Sequence, residues 1–126
     1  MIVRTALVAM LLCVGTPAFA DDTYSEVSMG ELLARLPSLF KQSVRVQGII
    51  TGWGDLAALN SAVTREVMVD LRPLTPELRQ SLNQTCTVER HCTATVQGQI
   101  VHIRGEGISE LGIEPHTILF EPVPLN

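Results

Sequence analysis

The same short β pattern occurs twice in this chain, and it limits the folds the chain can adopt. The triplet V-Q-G, followed two residues on by Ile, stands at residues 46–50 as VQGII and at residues 96–100 as VQGQI. Glycine inside a strand usually marks a bend, a bulge or the close approach of another backbone. The repeat is therefore either a coincidence between two β-rich runs or a sign of neighbouring strands with a similar local task.

A short amphipathic helix is predicted before the first copy. Ser28 and Glu31 have the spacing of a capping box. Apolar residues then recur on one helical face, at Met29, Leu32, Leu33 and Leu36. Pro37 should end the helix, because the residue before a proline is disfavoured in the helical conformation.

Five strands and a second helix are predicted in the rest of the chain. Thr75-Pro76-Glu77 provides an N-cap, a proline at the first helical position and an acid in the first turn, so a helix should run from there to about Gln84. Residues 105–107 are predicted as a turn and 108–115 as a connector. The strands are predicted at 44–53, 56–59, 67–71, 93–103 and 117–121.

Five strands with a helix between the third and fourth are the layout of the OB-fold, a partly open Greek-key barrel. In such a barrel the first and fourth strands are neighbours, and the first must curl strongly, which glycines within the strand permit. The predicted class is therefore mainly β: a five-stranded OB-fold-like Greek-key barrel with a short N-terminal helix and a helix between strands three and four.

The chain also resembles small secreted bacterial OB-fold proteins. The run GELLARLPSLFKQSVRVQGIITG (residues 30–52) is similar to their opening, and VMVDL, a helix ending in Cys, a second Cys, VQG and LGIEPHTILFE continue the pattern. The resemblance implies the OB-fold more than a particular function. A looser similarity to the stress-associated periplasmic OB-fold proteins departs at the Cys pair, which those proteins generally lack.

Residues 1–20 have the features of a signal peptide. Arg4 is their only charge, an apolar run occupies 6–14, and Ala18-Phe19-Ala20 ends in the small-x-small pattern cut by signal peptidase. The apolar run is shorter than the roughly 20 residues that a membrane span needs. We therefore expect cleavage after Ala20, a single domain over residues 21–126, a periplasmic or secreted location and no membrane span.

The charge balance argues against a nucleic-acid partner. The full chain has 9 Lys+Arg and 13 Asp+Glu, and loss of residues 1–20 removes only Arg4, so the formal net charge changes from −4 to −5. Sequence-independent binding to nucleic acids depends on Lys and Arg, and single-stranded nucleic acids also need aromatic stacking platforms. Only four aromatic residues follow residue 20: Tyr24, Phe40, Trp53 and Phe120.

Cys86 and Cys92 are predicted to form a disulfide, the usual state of a cysteine pair in an exported protein. A loop of about seven residues closed in this way should contribute about 2 kcal/mol of stability. A redox or metal-binding pair is the alternative, but C-x-x-C is absent and His91 beside Cys92 makes only half a metal site. The histidines have no metal-type spacing, and no haem attachment pattern is present, so no metal or cofactor is expected.

Trp53 is the main candidate for ligand binding, with Asn60, Arg65 and Arg104 as possible neighbours. Trp53 ends the first strand beside the loop that OB-folds commonly use to hold ligands. Its alternative role is to cap the end of the barrel. Four acids, Asp55, Asp70, Glu106 and Glu110, could be paired as a catalytic acid and base or as a Ca²⁺ site, but solvated turns and strand ends explain them better.

The sequence thus favours an exported, non-enzymatic OB-fold binding or interaction module. Its ligand would be a protein, a glycan or a small cationic molecule of the cell envelope. A hydrolase or nuclease-like enzyme on the same barrel is the alternative, and a structural envelope component is a third possibility. Fold alone does not decide between them.

Overall fold

The computed structural model describes residues 23–61, 66–105 and 107–124 of the 126-residue chain. These ranges contain six strands and two α-helices, with a short 3-10 helix after the first: β1 (Ser25–Glu26), α1 (Met29–Arg35), the 3-10 helix (Leu36–Leu39), β2 (Ser43–Trp53), β3 (Leu56–Asn60), β4 (Glu66–Asp70), α2 (Pro76–Thr85), β5 (Cys92–Gly105) and β6 (Ile108–Pro122). The predicted signal peptide with its cleavage site lies outside the described residues, as do Arg65 and Glu106.

Five of the strands form a closed ring. The sheet order is β1-β2-β3-β4-β6-β5, and β2 also pairs with β5, so the ring runs β2-β3-β4-β6-β5 and back to β2. β4 and β6 pair in parallel through Met68↔Gly112 and Val69↔Ile113, and the other ring pairs are antiparallel. With α2 between the third and fourth ring strands, this mainly-β arrangement is consistent with the predicted OB-like fold.

The two V-Q-G copies lie on adjacent antiparallel strands, as predicted. Val46 of β2 is opposite Val96 of β5, so the two triplets pair about that central residue. The glycines are not opposite each other: Gly48 faces Ala94 and Gly98 faces Val44. Both lie where another backbone passes close, because an added Cβ would be 2.9 Å from the Asn60 carbonyl oxygen at Gly48 and 2.8 Å from the Pro115 Cα at Gly98.

The prediction for residues 108–115 is wrong, because this segment is a strand and not a connector. β6 runs without a break from Ile108 to Pro122 and pairs with β5 along its whole length. A register shift at Gln97/Gly98 leaves His116 without a partner on β5, which marks a β-bulge. Glycine, proline and acidic residues weaken the local strand signal here, but pairing with β5 overrides it.

β1 is also absent from the sequence prediction, which has five strands. This two-residue strand lies parallel to Val44 and Arg45 of β2, and the Val27 N–H donates to the Arg45 carbonyl at 3.0 Å. Two residues are too few to show an alternating pattern, so the pairing depends on contacts made after β2 has formed.

Both helices begin as predicted. The Ser28 hydroxyl accepts from the Glu31 N–H at 3.0 Å in a complete capping box. The Thr75 hydroxyl accepts from the Leu78 N–H at 3.2 Å before Pro76. Each helix buries apolar residues against the ring, which fixes α1 next to β2 and α2 below the turn between β2 and β3.

The core is aliphatic, and the predicted disulfide is part of it. Cys86 and Cys92 are bonded, with their Cα atoms 5.2 Å apart and both side chains fully buried, which confirms the structural pairing. The bond links the end of α2 to the start of β5. The other fully buried positions include Leu32, Leu39, Val46, Ile50, Leu59, Val69, Leu82, Val96 and Ile113.

Candidate binding face

The outer surface of β2, β3 and β4 forms one apolar face, here called the Trp53 face. Ala57, Leu59, Val67 and Val69 point into the core, so the residues between them point outward. Two cross-strand rows define the face: Thr51, Ala58 and Met68, and next to it Trp53, Leu56 and Asp70. Thr51, Leu56 and Met68 are half-buried and Ala58 is buried, so the floor of the face is mostly apolar.

Trp53 stands at the rim of this face with 63% of its surface exposed. Gly54 and Asp55 make the tight turn between β2 and β3, and Gly54 has the positive φ that such a turn requires. The exposure disagrees with a tryptophan packed inside the end of the ring. A large apolar side chain held in solvent beside an apolar floor is an arrangement suited to contact with a ligand.

The C-terminal end of α2 fixes the turn that carries Trp53. The Asn83 side chain donates to the Gly54 carbonyl and accepts from the Gly54 N–H, each at 2.8 Å. The Gly52 N–H donates to the Cys86 carbonyl at 2.8 Å. A residue larger than glycine does not fit at position 52, since its Cβ would lie 2.6 Å from the Asn83 Oδ1 atom. The two glycines beside Trp53 thus have different roles: Gly52 leaves room for Asn83, and Gly54 adopts the positive φ of the turn.

Asp70 and Arg72 form a fixed ion pair at the other end of the Trp53 row. Arg72 donates from Nε and Nη2 to the two carboxylate oxygens of Asp70 at 2.8 and 3.0 Å. Nη2 also donates to the Arg104 carbonyl at 3.0 Å, and the guanidinium stays partly exposed. Burial is the largest single influence and raises the pKa of Asp70, but the hydrogen bonds and charge of Arg72 together leave that pKa below its ordinary value.

The predicted site residues do not all come together. The backbone of Arg104 joins the Trp53 face through Arg72, while its Nη2 atom lies 3.1 Å from the His102 Nδ1 atom. Asn60 lies at the opposite end of β3, opposite Ile49 and Glu66. Of the four candidates, Trp53 and Arg104 thus border the same end of the sheet, Asn60 does not, and Arg65 is outside the described residues.

Met68 and Arg72 are not among the site residues predicted from the sequence, and Asp70 was predicted to lie at a solvated strand end. The sequence does contain a signal for Met68 and Asp70. Val67, Val69 and Leu71 alternate with them, so burial of those three side chains leaves Met68 and Asp70 on the outer face. The bond from Arg72 to the Arg104 carbonyl needs the end of β4 to meet the end of β5. That contact cannot be read from local pattern.

A second concavity lies on the outer face of β2, β5 and β6. It is an open cleft of about 800 Å³. Its outward side chains are mostly neutral, with Leu119 52% exposed at its edge. The outward residues come from two cross-strand rows, Gln47, Thr95 and Leu119 in one and Ile49, Thr93 and Glu121 in the other.

The described residues also bring together a tyrosine and a histidine that are far apart in the sequence. The Tyr24 hydroxyl lies 2.8 Å from the Nδ1 atom of His116, the unpaired residue of the bulge in β6. Within the described ranges, no three His, Cys, Asp or Glu side chains are grouped as metal ligands. No helix in those ranges is long and apolar enough to cross a membrane.

A solved structure with a similar fold is known. Aspartyl tRNA synthetase from Entamoeba histolytica is similar with a TM-score of 0.55 at 14% sequence identity, over 88% of this chain and 24% of the synthetase chain. The chain therefore spans about a quarter of that enzyme, and a likeness at this identity shows the fold alone. No protein-family model and no curated protein matches the sequence.

Proposed function

We propose that this protein is an exported, non-enzymatic binding module that holds an envelope ligand on the Trp53 face. The observation that carries the proposal is the 63% exposure of Trp53 on a turn fixed by Asn83. In OB-like folds, the corresponding strands and the loops at their ends bind oligonucleotides and oligosaccharides. An aromatic side chain carried on a fixed turn costs no backbone ordering on binding.

Among the expected ligand classes, an oligosaccharide suits the face better than a peptide or a small cation. A sugar ring has an apolar C–H side that can lie on the indole and on the floor formed by Leu56 and Met68. Its hydroxyls can exchange hydrogen bonds with the fixed Asp70–Arg72 pair. Both carboxylate oxygens of Asp70 are bonded to Arg72, which favours a recognition role over that of a free catalytic acid or base.

The synthetase likeness raises oligonucleotides as a competing ligand. The net charge of −5 for residues 21–126 opposes them, because phosphate binding depends on Lys and Arg. We therefore do not propose a nucleic-acid ligand, and the experiment below tests binding of a single-stranded oligonucleotide as the alternative.

Trp53 is the only tryptophan in the chain, so its fluorescence reports directly on the proposed site. Labelled protein would be applied to a glycan array, and each glycan bound would be titrated by calorimetry into wild type, Trp53→Ala and Val88→Ala, with tryptophan fluorescence followed in the two proteins that keep Trp53. Val88 is the matched control, since it is 66% exposed on the disulfide loop. Trp53→Ala should weaken binding at least about tenfold, equivalent to about 1.4 kcal/mol, and Val88→Ala should not.

Two results would contradict the proposal. One is glycan binding that Trp53→Ala leaves intact, because the ligand would then lie elsewhere. The other is a fluorescence response to a 20-nucleotide single strand that disappears with added salt while no glycan binds, as expected for a phosphate-binding protein.

A further inference from the structure

The C-terminal half of β6 has one edge without a strand partner. β6 pairs with β5 from Ile108 to Pro122, but it pairs with β4 only at Gly112 and Ile113. From Glu114 onward, no other strand within the described ranges lies along the second edge. An open strand edge is a template for pairing with another chain unless it is blocked.

The direction in which the backbone groups of β6 point follows from a hydrogen bond at one end of the β5–β6 pair. The Val123 N–H donates to the His91 carbonyl at 3.1 Å, so this residue pair faces inward between the two strands. Antiparallel pairs alternate, and the register pairs Leu119 with Thr95. Leu119 therefore bonds to β5, while the N–H and C=O groups of Ile118 and Phe120 point to the open edge.

Prolines limit the open segment at both ends. Pro115 and Pro122 lack an N–H, which restricts strand addition to the residues between them. Between them stands Leu119, 52% exposed with its side chain on the outer face. A natural edge strand usually carries a charge at such a central position. Here the ends are blocked and the centre is open and apolar.

We propose that two copies of this chain pair through this edge, antiparallel about a two-fold axis at Leu119. Ile118 then lies opposite Phe120 of the second copy, and Phe120 opposite Ile118 of the second copy. Each of these pairs exchanges two backbone hydrogen bonds. The two Leu119 side chains meet at the axis, where a non-hydrogen-bonded pair brings side chains closest.

Charge selects this register over its neighbours. With the axis at Leu119, Glu121 lies opposite Thr117 of the second copy. An axis at Glu121 would place the two carboxylates directly opposite each other, which is unfavourable. An axis at Thr117 would bring the bulge at His116 into the pairing and lose hydrogen bonds at the edge.

The contact is short, so the dimer should be weak and reversible. Stable protein interfaces bury about 800 Å² on each partner, more than a strand of six residues provides. A second copy nevertheless fits better than an unrelated extended peptide, because the register is self-complementary in its hydrogen bonds and its apolar contact and keeps the two Glu121 carboxylates apart. The proposal concerns a surface separate from the Trp53 face and does not depend on ligand binding there.

Disulfide crosslinking tests the register. In the dimer the two Leu119 Cα atoms should be about 4.5 Å apart, within the range of about 4.4–6.8 Å that a disulfide spans. Leu119→Cys should therefore oxidise to a covalent dimer at least about tenfold faster than a cysteine that meets its copy only by collision. Peptide mapping would verify that Cys86–Cys92 stays intact.

Two controls make the result specific. In Thr117→Cys the cysteines lie on the same edge but about 13 Å or more apart in this register, at about 3.3 Å per residue. In Val88→Cys the cysteine is exposed far from the edge. Equal crosslinking of Thr117→Cys and Leu119→Cys, or of Val88→Cys and Leu119→Cys, would overturn the proposal.

Amide hydrogen exchange provides an independent measurement on the unmodified chain. Raising the protein concentration from about 10 μM to about 1 mM, the range in which small interfaces associate, should slow exchange at Ile118 and Phe120. Leu119 should not change, since its N–H is already bonded to β5. In the folded variant Leu119→Arg the concentration dependence should disappear. Exchange at Ile118 and Phe120 that is independent of concentration in wild type would refute the dimer.

Discussion

Gly98 lies where the backbone of β6 passes close to β5, and replacing it with alanine should be costly. The added Cβ would be 2.8 Å from the Pro115 Cα and closer still to the Glu114 carbonyl oxygen. Both neighbours are backbone atoms of a paired strand, so neither can rotate away as a side chain can. The substitution must push β5 and β6 apart at the bulge.

The expected change in the free energy of unfolding is the difference between two opposing effects. Overpacking at a site that cannot relax costs about 1–3 kcal/mol. Gly→Ala also restricts the unfolded chain, which stabilises the folded state by about 0.4–1 kcal/mol. The net loss should still be about 1–2 kcal/mol, which for a domain of this size lowers Tm by about 5–15 °C.

Gly105→Ala is the matched control, because it makes the same change on the same strand. Its Cβ would lie 3.5 Å from the Arg72 Nη1 atom, an ordinary contact with a flexible side chain. This variant should therefore melt at or slightly above the wild-type temperature. Thermal unfolding followed by circular dichroism would compare the three proteins, and equal Tm values for Gly98→Ala and Gly105→Ala would refute the close-approach argument.

Three further predictions concern the disulfide, an ion pair and processing. Replacing Cys86 and Cys92 together by alanine should lower stability by about 2 kcal/mol or more in urea unfolding, because the unfolded chain loses its closed loop; an unchanged midpoint would contradict this. The pKa of Asp70 is lower in the folded protein than in the unfolded chain, where it is near 3.8. The ionised carboxylate therefore stabilises the fold at pH values above 3.8, and this contribution is lost as the pH falls through the folded pKa. Asp70→Asn should therefore be less stable than wild type at neutral pH, and the gap should narrow toward about pH 2; a constant gap would show that Arg72 gains nothing from the charge. The exported protein should begin at Asp21 on N-terminal sequencing, and an intact Met1 would disprove cleavage.

Much of the ring could be predicted because its signals are local. The capping box at Ser28 and the Thr75-Pro76 start are set by neighbouring residues, and both helices begin there. The repeated V-Q-G also predicted the pairing of β2 with β5, since a bend with close backbone approach needs glycine wherever it occurs.

What could not be predicted depends on contacts between distant segments. The first half of β6 contains Gly112 and Pro115, which weaken a strand signal, and it becomes a strand because β5 provides its partners. Tyr24 and His116 are 92 residues apart, and they meet only because β1 pairs with β2 and the bulge turns β6. Arg72 likewise meets the Arg104 carbonyl only after the ring has closed.

The position of Trp53 depends on residues that the sequence did not connect with it. Cys86 accepts the Gly52 N–H through its carbonyl, Asn83 holds Gly54, and the disulfide anchors the end of α2 to β5. The turn is thus held by the C-terminal end of α2, which is itself held by the Cys86–Cys92 disulfide. Reduction of the disulfide should therefore affect more than global stability, because it frees the groups that hold the tryptophan in solvent. A binding face built in this way is tied to the oxidised state of the protein, in agreement with the proposed function outside the reducing cytosol.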